Sequence, residues 1–463
     1  MKTRFAPSPT GFIHIGNART ALISALAGYQ AQGVFLLRVE DTDKVRSTDE
    51  FLQGLVEDLK WLGLTWQEGE GVGGAFGPYR QSLRDDIYAH YYDRLISEGH
   101  AYPCYCSDEE LELTRKLQIA SSQPPRYPGT CRHLTPAQRQ EKELAGRKPS
   151  TRFHMPKGKA IEFSDIVKGP QKFLSDDIGD FIIRRQDGGS SFMFCNAIDD
   201  SLMEVTHVIR GEDHLTNTPR QLAILDALNM RKPDYGHISL INGMDGAPLS
   251  KRNGSRSIRE LRELGFLPLA LVNYLARLGH YYESNDFMDW AALSKNFSLK
   301  HLGKSAGKYD EAQVNHWQKQ AVLAASDDVL WSWLSQDLQN KITATQKSLI
   351  LKIIRESALF PADAEQVVQS LVSAPKFSVD AQKIVLDAGK AFFDEALNGV
   401  DANGADFSLV SQHLAERLGV KGKALFQPLR VALTGELHGP QMTDVFKVLG
   451  IEALKARLEA VRT

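Results

Sequence analysis

A chain of 463 residues is too long for one ordinary domain, and 42% hydrophobic with 24% charged content suits two or three globular units, each with its own core. The opening Met1-Lys2-Thr3-Arg4-Phe5 lacks the apolar run of a signal peptide, no segment approaches a membrane span, and four cysteines are too few for a disulfide scaffold, so a cytoplasmic protein is expected. The net charge of −2 leaves an RNA partner open, because a local basic face is enough for one.

Residues 2–6 are β-compatible and lead into the turn-forming Pro7-Ser8-Pro9-Thr10-Gly11. From Gly16 onward Ala18, Ala21, Leu22, Ala25, Leu26 and Tyr29 recur at helical spacing, which predicts a helix. The apolar run 34–39 predicts a buried parallel strand, so the first forty residues form a right-handed βαβ unit of a doubly wound nucleotide-binding domain. A helix carrying Phe51, Leu55, Leu59 and Leu62 follows. Across 101–186 the rhythm changes to a cysteine-bearing segment, a charged helix (108–120), a Pro/Gly-rich loop and short strands (150–155, 180–185), the pattern of an insertion. The parent pattern resumes with a strand at 205–210, a helix at 214–228 and the run 238–241 leading into a loop over 242–257. Beyond Lys319 the pattern is helical throughout, for example 322–334, 347–358 and 407–418, which predicts an all-α end.

Two strings carry chemistry. The first is Phe5-Ala6-Pro7-Ser8-Pro9-Thr10-Gly11-Phe12-Ile13-His14-Ile15-Gly16-Asn17, between a strand and its helix. Free N–H groups at a helix start attract phosphates, Gly16 allows an adenosine to approach the backbone, and His14 can donate to an α-phosphate. The second is Gly246-Ala247-Pro248-Leu249-Ser250-Lys251-Arg252-Asn253-Gly254, whose adjacent cations can clamp β- and γ-phosphates. Alone, each would read as an ordinary turn or a solvated basic loop.

Together they resemble the two signature motifs of class I aminoacyl-tRNA synthetases, as His14-Ile15-Gly16-Asn17 and Pro248-Leu249-Ser250-Lys251-Arg252. The finer resemblance is to glutamyl-tRNA synthetases, carried by the strings 4–11, Arg38-Val39-Glu40-Asp41-Thr42-Asp43, 206–214, Asn217-Thr218-Pro219-Arg220-Gln221 and Gly265-Phe266-Leu267-Pro268. Lys421-Gly422-Lys423, Gln427-Pro428-Leu429-Arg430 and Leu433-Thr434-Gly435 extend it almost to the end of the chain. The resemblance implies an α/β protein: a class I Rossmann-type catalytic domain (1–100 and 187–258) with an inserted, zinc-bearing connective domain (101–186). A stem-contact region (259–320) and an all-α anticodon-binding domain (321–463) would follow. It implies ATP with Mg2+, L-glutamate and tRNA as partners, and a monomer is expected. Thr10, His14, Gly16, Asn17, Ser250, Lys251 and Arg252 would bind ATP and act in catalysis. Arg4, Ala6, Ser8, Glu40, Phe192, Asn196 and Arg210 would bind glutamate. A guanidinium suits the side-chain carboxylate and Glu40 the ammonium group, with Arg210 favoured over Arg4 for the former.

Two positions depart from the family pattern. Phe192 stands where tyrosine is usual, which removes one hydroxyl, worth about 0.5–1.5 kcal/mol. Pro248 replaces the first lysine of the second motif, while Lys251 is kept.

Cys104-Tyr105-Cys106 and Cys131-Arg132-His133 form a C-x-C and C-x-H pair, the inner cysteines 25 positions apart. Three thiolates and an imidazole suit tetrahedral structural Zn2+, one per chain, and some glutamyl-tRNA synthetases carry this pattern in their insertion. Cys195 reads as a small core residue in a strand.

A glutaminyl-tRNA synthetase would end in β-barrels, and the truncated relative that glutamylates a modified tRNA base would lack the last ~140 residues. A non-catalytic tRNA-binding paralogue would have lost His14, Lys251 or Arg210, and all three are present. Whether tRNA(Glu), tRNA(Gln) or both are charged is left open. The family reads the third anticodon base near Ile353-Ile354-Arg355-Glu356-Ser357, where Arg355 is the nearest arginine.

Overall fold

The computed structural model describes residues 1–43, 45–249 and 256–462. It divides into two compact units, one comprising Met1–Glu263 and Leu271–Gln313, the other Leu264–Ala270 and Val314–Thr463.

In the first unit, β1 (Lys2–Phe5), α1 (Ile15–Gln30) and β2 (Val34–Leu37) form the expected strand–helix–strand unit. The two strands are parallel, with Arg4 opposite Leu36. Helix α2 (Asp49–Trp61) starts at Thr48, whose side chain accepts from the Phe51 N–H, and buries Leu52, Leu55 and Leu59. Phe51 faces away from that stripe and meets the edge of Phe12. β3 (Glu68–Gly69) and α3 (Asp85–Ser97) complete this half.

The inserted segment holds β4 (Ala101–Cys104), α4 (Asp108–Ala120), α5 (Pro136–Leu144), β5 (Ser150–Phe153), β6 (Ala160–Asp165), β7 (Gly169–Leu174), α6 (Ser175–Ile178) and β8 (Phe181–Arg184). β4, β5 and β8 make an antiparallel sheet, and β6 and β7 make a separate hairpin. Neither α4 nor α5 buries a residue. Each starts at a capping box, Ser107/Glu110 for α4 and Thr135/Gln138 for α5.

The chain then returns through α7 (Phe192–Leu202), β9 (His207–Gly211), α8 (Thr218–Ala227) and β10 (Asp234–Ile238). The central sheet has the order β10-β9-β1-β2-β3, with every pairing parallel. Between β1 and β9 the strand order reverses direction, and the crevice beyond the carboxyl ends of such strands is where open α/β sheets bind ligands.

Three local expectations change. Cys195 is fully buried as expected of a core residue, but in helix α7 rather than a strand. There Phe192 and Asn196 lie one turn apart on a single face, a spacing that a strand would have split. The helix expected at 214–228 begins as a 3₁₀ turn, Glu212–Asn217, and becomes α-helical only where Pro219 sits in the first turn of α8. The helix expected at 322–334 is divided. One helix ends at Ala324 and a second, Asp327–Trp331, starts at Ser326, whose side chain accepts from the Val329 N–H.

The second unit is helical, with no strand among its described residues. Ile350, Ile354, Phe393, Val400, Leu414, Leu429 and Phe446 belong to its core. Helices Val379–Asn403 and Met442–Ala460 are interrupted at Gly389 (φ 75°) and Gly450 (φ 67°), a conformation in which a side chain would be strained. Arg355 donates to Asp327 (2.8 Å) and to the Ala325 carbonyl (2.9 Å), so its guanidinium is held within this unit.

Candidate active site and metal centre

A cavity of about 520 Å3 opens at the carboxyl ends of β1 and β9. Arg4, Ala6, Ser8, Glu40, Phe192, Asn196 and Arg210 all line it. So do Thr10, His14, Gly16 and Asn17. Residues scattered over two hundred positions converge because β1, β2 and β9 are adjacent and parallel, so that the segments leaving them open on the same edge. Of the second motif, Pro248 bridges to Asn242 and the Leu249 N–H donates to the Ile241 carbonyl (2.8 Å). Ser250, Lys251 and Arg252 lie outside the described residues. Just after them Ser257 bridges to His14, and the Ile258 N–H donates to the Ile13 carbonyl (2.8 Å).

His14 is the N-cap of α1, and its Nδ1 accepts from the Gly16 N–H (3.2 Å). That bond places the ring proton on Nε2, which makes Nε2 a donor. A Cβ at position 16 would lie 3.1 Å from the His14 ring, so glycine is what allows the imidazole to fold over the helix start.

The floor of the cavity holds a charge network that the sequence reading did not single out. Arg38, with no exposed surface, donates from Nη1 to Asp200 (2.7 Å) and from Nη2 to Glu40 and Asn196 (both 3.1 Å). Arg4 donates to the same Asp200 oxygen through Nε (3.3 Å). Burial works against the Arg38 charge, but Asp200, Glu40 and Asp199 outweigh it and raise its pKa. Burial also raises Asp200, yet Arg38 and Arg4 dominate and hold it below the usual carboxylate value. For Glu40 burial wins over both arginines and the pKa is raised. Glu40 is thus a buried carboxylate whose charged form would gain from another cation. Two signals in the chain could have pointed to this network. Arg38 and Glu40 stand two positions apart just past the apolar run of β2, and the adjacent acids Asp199-Asp200 are buried inside helix α7.

Arg210 is 4% exposed and differs from Arg38 in having no carboxylate partner among the described residues. Nε donates to His237 Nε2 (3.1 Å), and Nη2 donates to Thr218 Oγ1 and Gln221 Oε1 (both 2.8 Å). Nη1 is buried without a partner. Burial, the largest cause, lowers its pKa to about 10. With Nε and Nη2 already engaged, Nη1 is the nitrogen the guanidinium has left to offer a ligand. Phe192 stacks on His214, ring centroids 5.2 Å apart, at the cavity wall.

Cys104, Cys106 and Cys131 come together in the insertion, their sulfurs within 4.8 Å of one another. Cys106 Sγ and Cys131 Sγ are 3.6 Å apart. The oxygen of Tyr127 faces this group, 3.3 Å from Cys104 Sγ and 3.6 Å from Cys106 Sγ. A tetrahedron with metal–sulfur bonds near 2.3 Å has sulfur–sulfur edges of about 3.8 Å, and edges to an oxygen donor of about 3.5 Å. The donor set fits. His133, the expected fourth ligand, is exposed and outside the group. Arg132, between Cys131 and His133, is held by Asp180 (2.6 Å), and the Cys131 N–H donates to the Tyr127 oxygen (2.9 Å). Burial raises the Cys104 thiol, but hydrogen bonds with Tyr127 and Arg152 outweigh it and lower the pKa. Burial pushes Cys106 up to about 12.

A parallel sheet reversing at β1/β9, a histidine-capped helix start at its edge and a helical second unit define the architecture of a class I aminoacyl-tRNA synthetase. Residues 1–316 match the family described as tRNA synthetases class I (E and Q), catalytic domain, and the chain belongs to that family. Residues 350–462 match the family described as anticodon binding domain. The chain is 49% identical to glutamate--tRNA ligase 2 of Nitrosococcus oceani, covering 99% of this chain and 98% of the relative. It is 50% identical to glutamate--tRNA ligase 2 of Coxiella burnetii, covering 99% of each. A crystal structure of a glutamate tRNA ligase from Elizabethkingia meningosepticum in complex with its amino acid superposes with a TM-score of 0.88 at 27% identity, covering 100% of this chain and 99% of the other.

Proposed function

We propose that this protein activates L-glutamate with ATP, forming glutamyl-adenylate, and transfers the glutamyl group to the terminal adenosine of tRNA(Glu). The observation that carries the glutamate assignment is Arg210, a buried guanidinium with no carboxylate partner among the described residues, in the same cavity as the buried carboxylate Glu40. An amino acid with an acidic side chain supplies an anion to Arg210 through its side-chain carboxylate and, through its ammonium group, a second cation to Glu40 beside Arg38. ATP, accompanied by Mg2+, would lay its phosphates at the start of α1. There His14 Nε2–H donates to the α-phosphate as the substrate's α-carboxylate attacks it and pyrophosphate leaves. ATP–pyrophosphate exchange with each amino acid, with and without tRNA, tests the activation step. Charging of purified tRNA(Glu) and tRNA(Gln) tests the acceptor, and charging of tRNA(Gln) alone would overturn that assignment.

Lys251 is assigned to the β- and γ-phosphates from its place in the second motif. Lys251→Ala should slow glutamyl-adenylate formation by a factor on the order of a hundred, with a much smaller change in the KM for ATP. Exchange at the wild-type rate would refute the assignment.

Cys104, Cys106, Cys131 and Tyr127 would hold one Zn2+, whose closed donor set gives it a structural role: pinning β4 to the turn at 129–132. Elemental analysis of protein purified without chelators should find about one zinc per chain. Cys131→Ser should release it and speed proteolysis within 107–129. His133→Ala should leave the zinc content unchanged, and loss of metal in that variant would restore His133 as a ligand.

A further inference from the structure

Arg210 is held from behind by a pair of residues that belong to no signature motif. His237, on β10, is fully buried, and its Nε2 accepts from Arg210 Nε (3.1 Å) and lies 3.1 Å from the Thr218 hydroxyl. Its other nitrogen, Nδ1, is 2.5 Å from Oδ2 of Asp165, which is buried at the end of β6 in the inserted segment. Asp165 is in turn fixed by backbone N–H groups of Val167 (2.9 Å), Lys168 (2.8 Å) and His237 (3.2 Å), all donating to Oδ1. An ionised carboxylate only accepts, so the imidazole must carry its proton on Nδ1, leaving Nε2 as the acceptor that Arg210 requires. Burial keeps the His237 pKa low and the ring neutral, while the hydrogen bonds to Asp165 outweigh burial and hold that carboxyl below its ordinary value.

The arrangement solves a problem of charge. A carboxylate placed directly on Arg210 would orient it but would also cancel the charge that a ligand must find there. An imidazole orients it and cancels nothing, and the anion stands one residue further back.

We propose that Asp165 and His237 are positioning residues for amino-acid recognition: Asp165 selects the imidazole tautomer that accepts from Arg210, and this leaves Nη1 and the charge of Arg210 for the ligand. The proposal rests on the assignment of Arg210 to the glutamate side chain. It links the inserted segment, through β6, to the specificity pocket.

The test uses the full chain. Asp165→Asn is nearly isosteric, but with Oδ1 held by the three backbone N–H groups its amide must donate to Nδ1. The ring proton moves to Nε2, where it confronts Arg210 Nε–H. The KM for glutamate should rise by about tenfold or more while the KM for ATP stays within about twofold. In 15N-histidine-labelled protein, the resonances lost in His237→Gln should switch from the Nδ1–H to the Nε2–H pattern in Asp165→Asn. The double variant Asp165→Asn/His237→Gln, which restores an acceptor at the Nε2 position, should recover much of the glutamate affinity. A glutamate KM unchanged in Asp165→Asn, or an imidazole pattern that does not switch, overturns the proposal. If Arg210→Ala raises the glutamate KM and Asp165→Asn does not, the relay alone is wrong. If neither does, the glutamate assignment of Arg210 falls with it.

Discussion

Arg210→Ala is expected to raise the KM for glutamate by at least about a hundredfold, the loss of roughly 3 kcal/mol that follows when one partner of a buried charge pair is removed. ATP binding by the free enzyme should change little, because Arg210 bonds to His237, His214, Thr218 and Gln221 and not to the start of α1. A second readout separates recognition from folding. Burial lowers the Arg210 pKa to about 10, so in the ligand-free protein the charged guanidinium is a destabilising group. Its folded pKa lies below the unfolded value, so that cost is fully present at neutral pH and vanishes only above both values. A carboxylate arriving beside it relieves the cost, and glutamate should therefore raise the Tm of the wild type markedly. It should do so far less for Arg210→Ala. An unchanged glutamate KM in the variant would move the side-chain anchor to Arg4, whose Nε already serves Asp200.

Arg38→Met should produce the largest loss of stability of any substitution at the site. It removes the cation shared by Glu40 and Asp200, both buried, and breaking such a pair from one side typically costs about 3–5 kcal/mol. Urea unfolding measures this as a lower midpoint of the transition. The pH dependence has a definite sign. In the wild type, the lowered pKa of Asp200 contributes stability that is present above its unfolded value, about 3.9, and is lost as pH falls below it. Without Arg38 both carboxylates would titrate above their unfolded values, so the deficit should be full at neutral pH and shrink as pH falls toward about 4. Adding Asp200→Asn to Arg38→Met should recover part of the loss, because one stranded charge is then neutral. A deficit that does not depend on pH would mean that Arg38 acts by packing alone.

What the chain determined by itself is what local chemistry controls. The βαβ start followed from apolar spacing. The helix at 108–120 was read from its charged local pattern, and it buries no residue. The residues of the candidate pocket were legible because they lie in strings with a shared pattern, and the parallel sheet carries those strings to one edge. Only the tertiary structure decided how the charges pair. Arg38 meets Asp200 across 162 positions and His237 meets Asp165 across 72, and neither separation leaves a period to read. The same holds for the cysteine group. Spacing nominated His133, two positions from Cys131, but His133 is exposed and the oxygen facing the sulfurs is that of Tyr127, which accepts from the Cys131 N–H. Sequence patterns specify which donors lie near one another along the chain. Which of them turns inward depends on hydrogen bonds to partners far away in sequence, and those exist only once the sheets have formed.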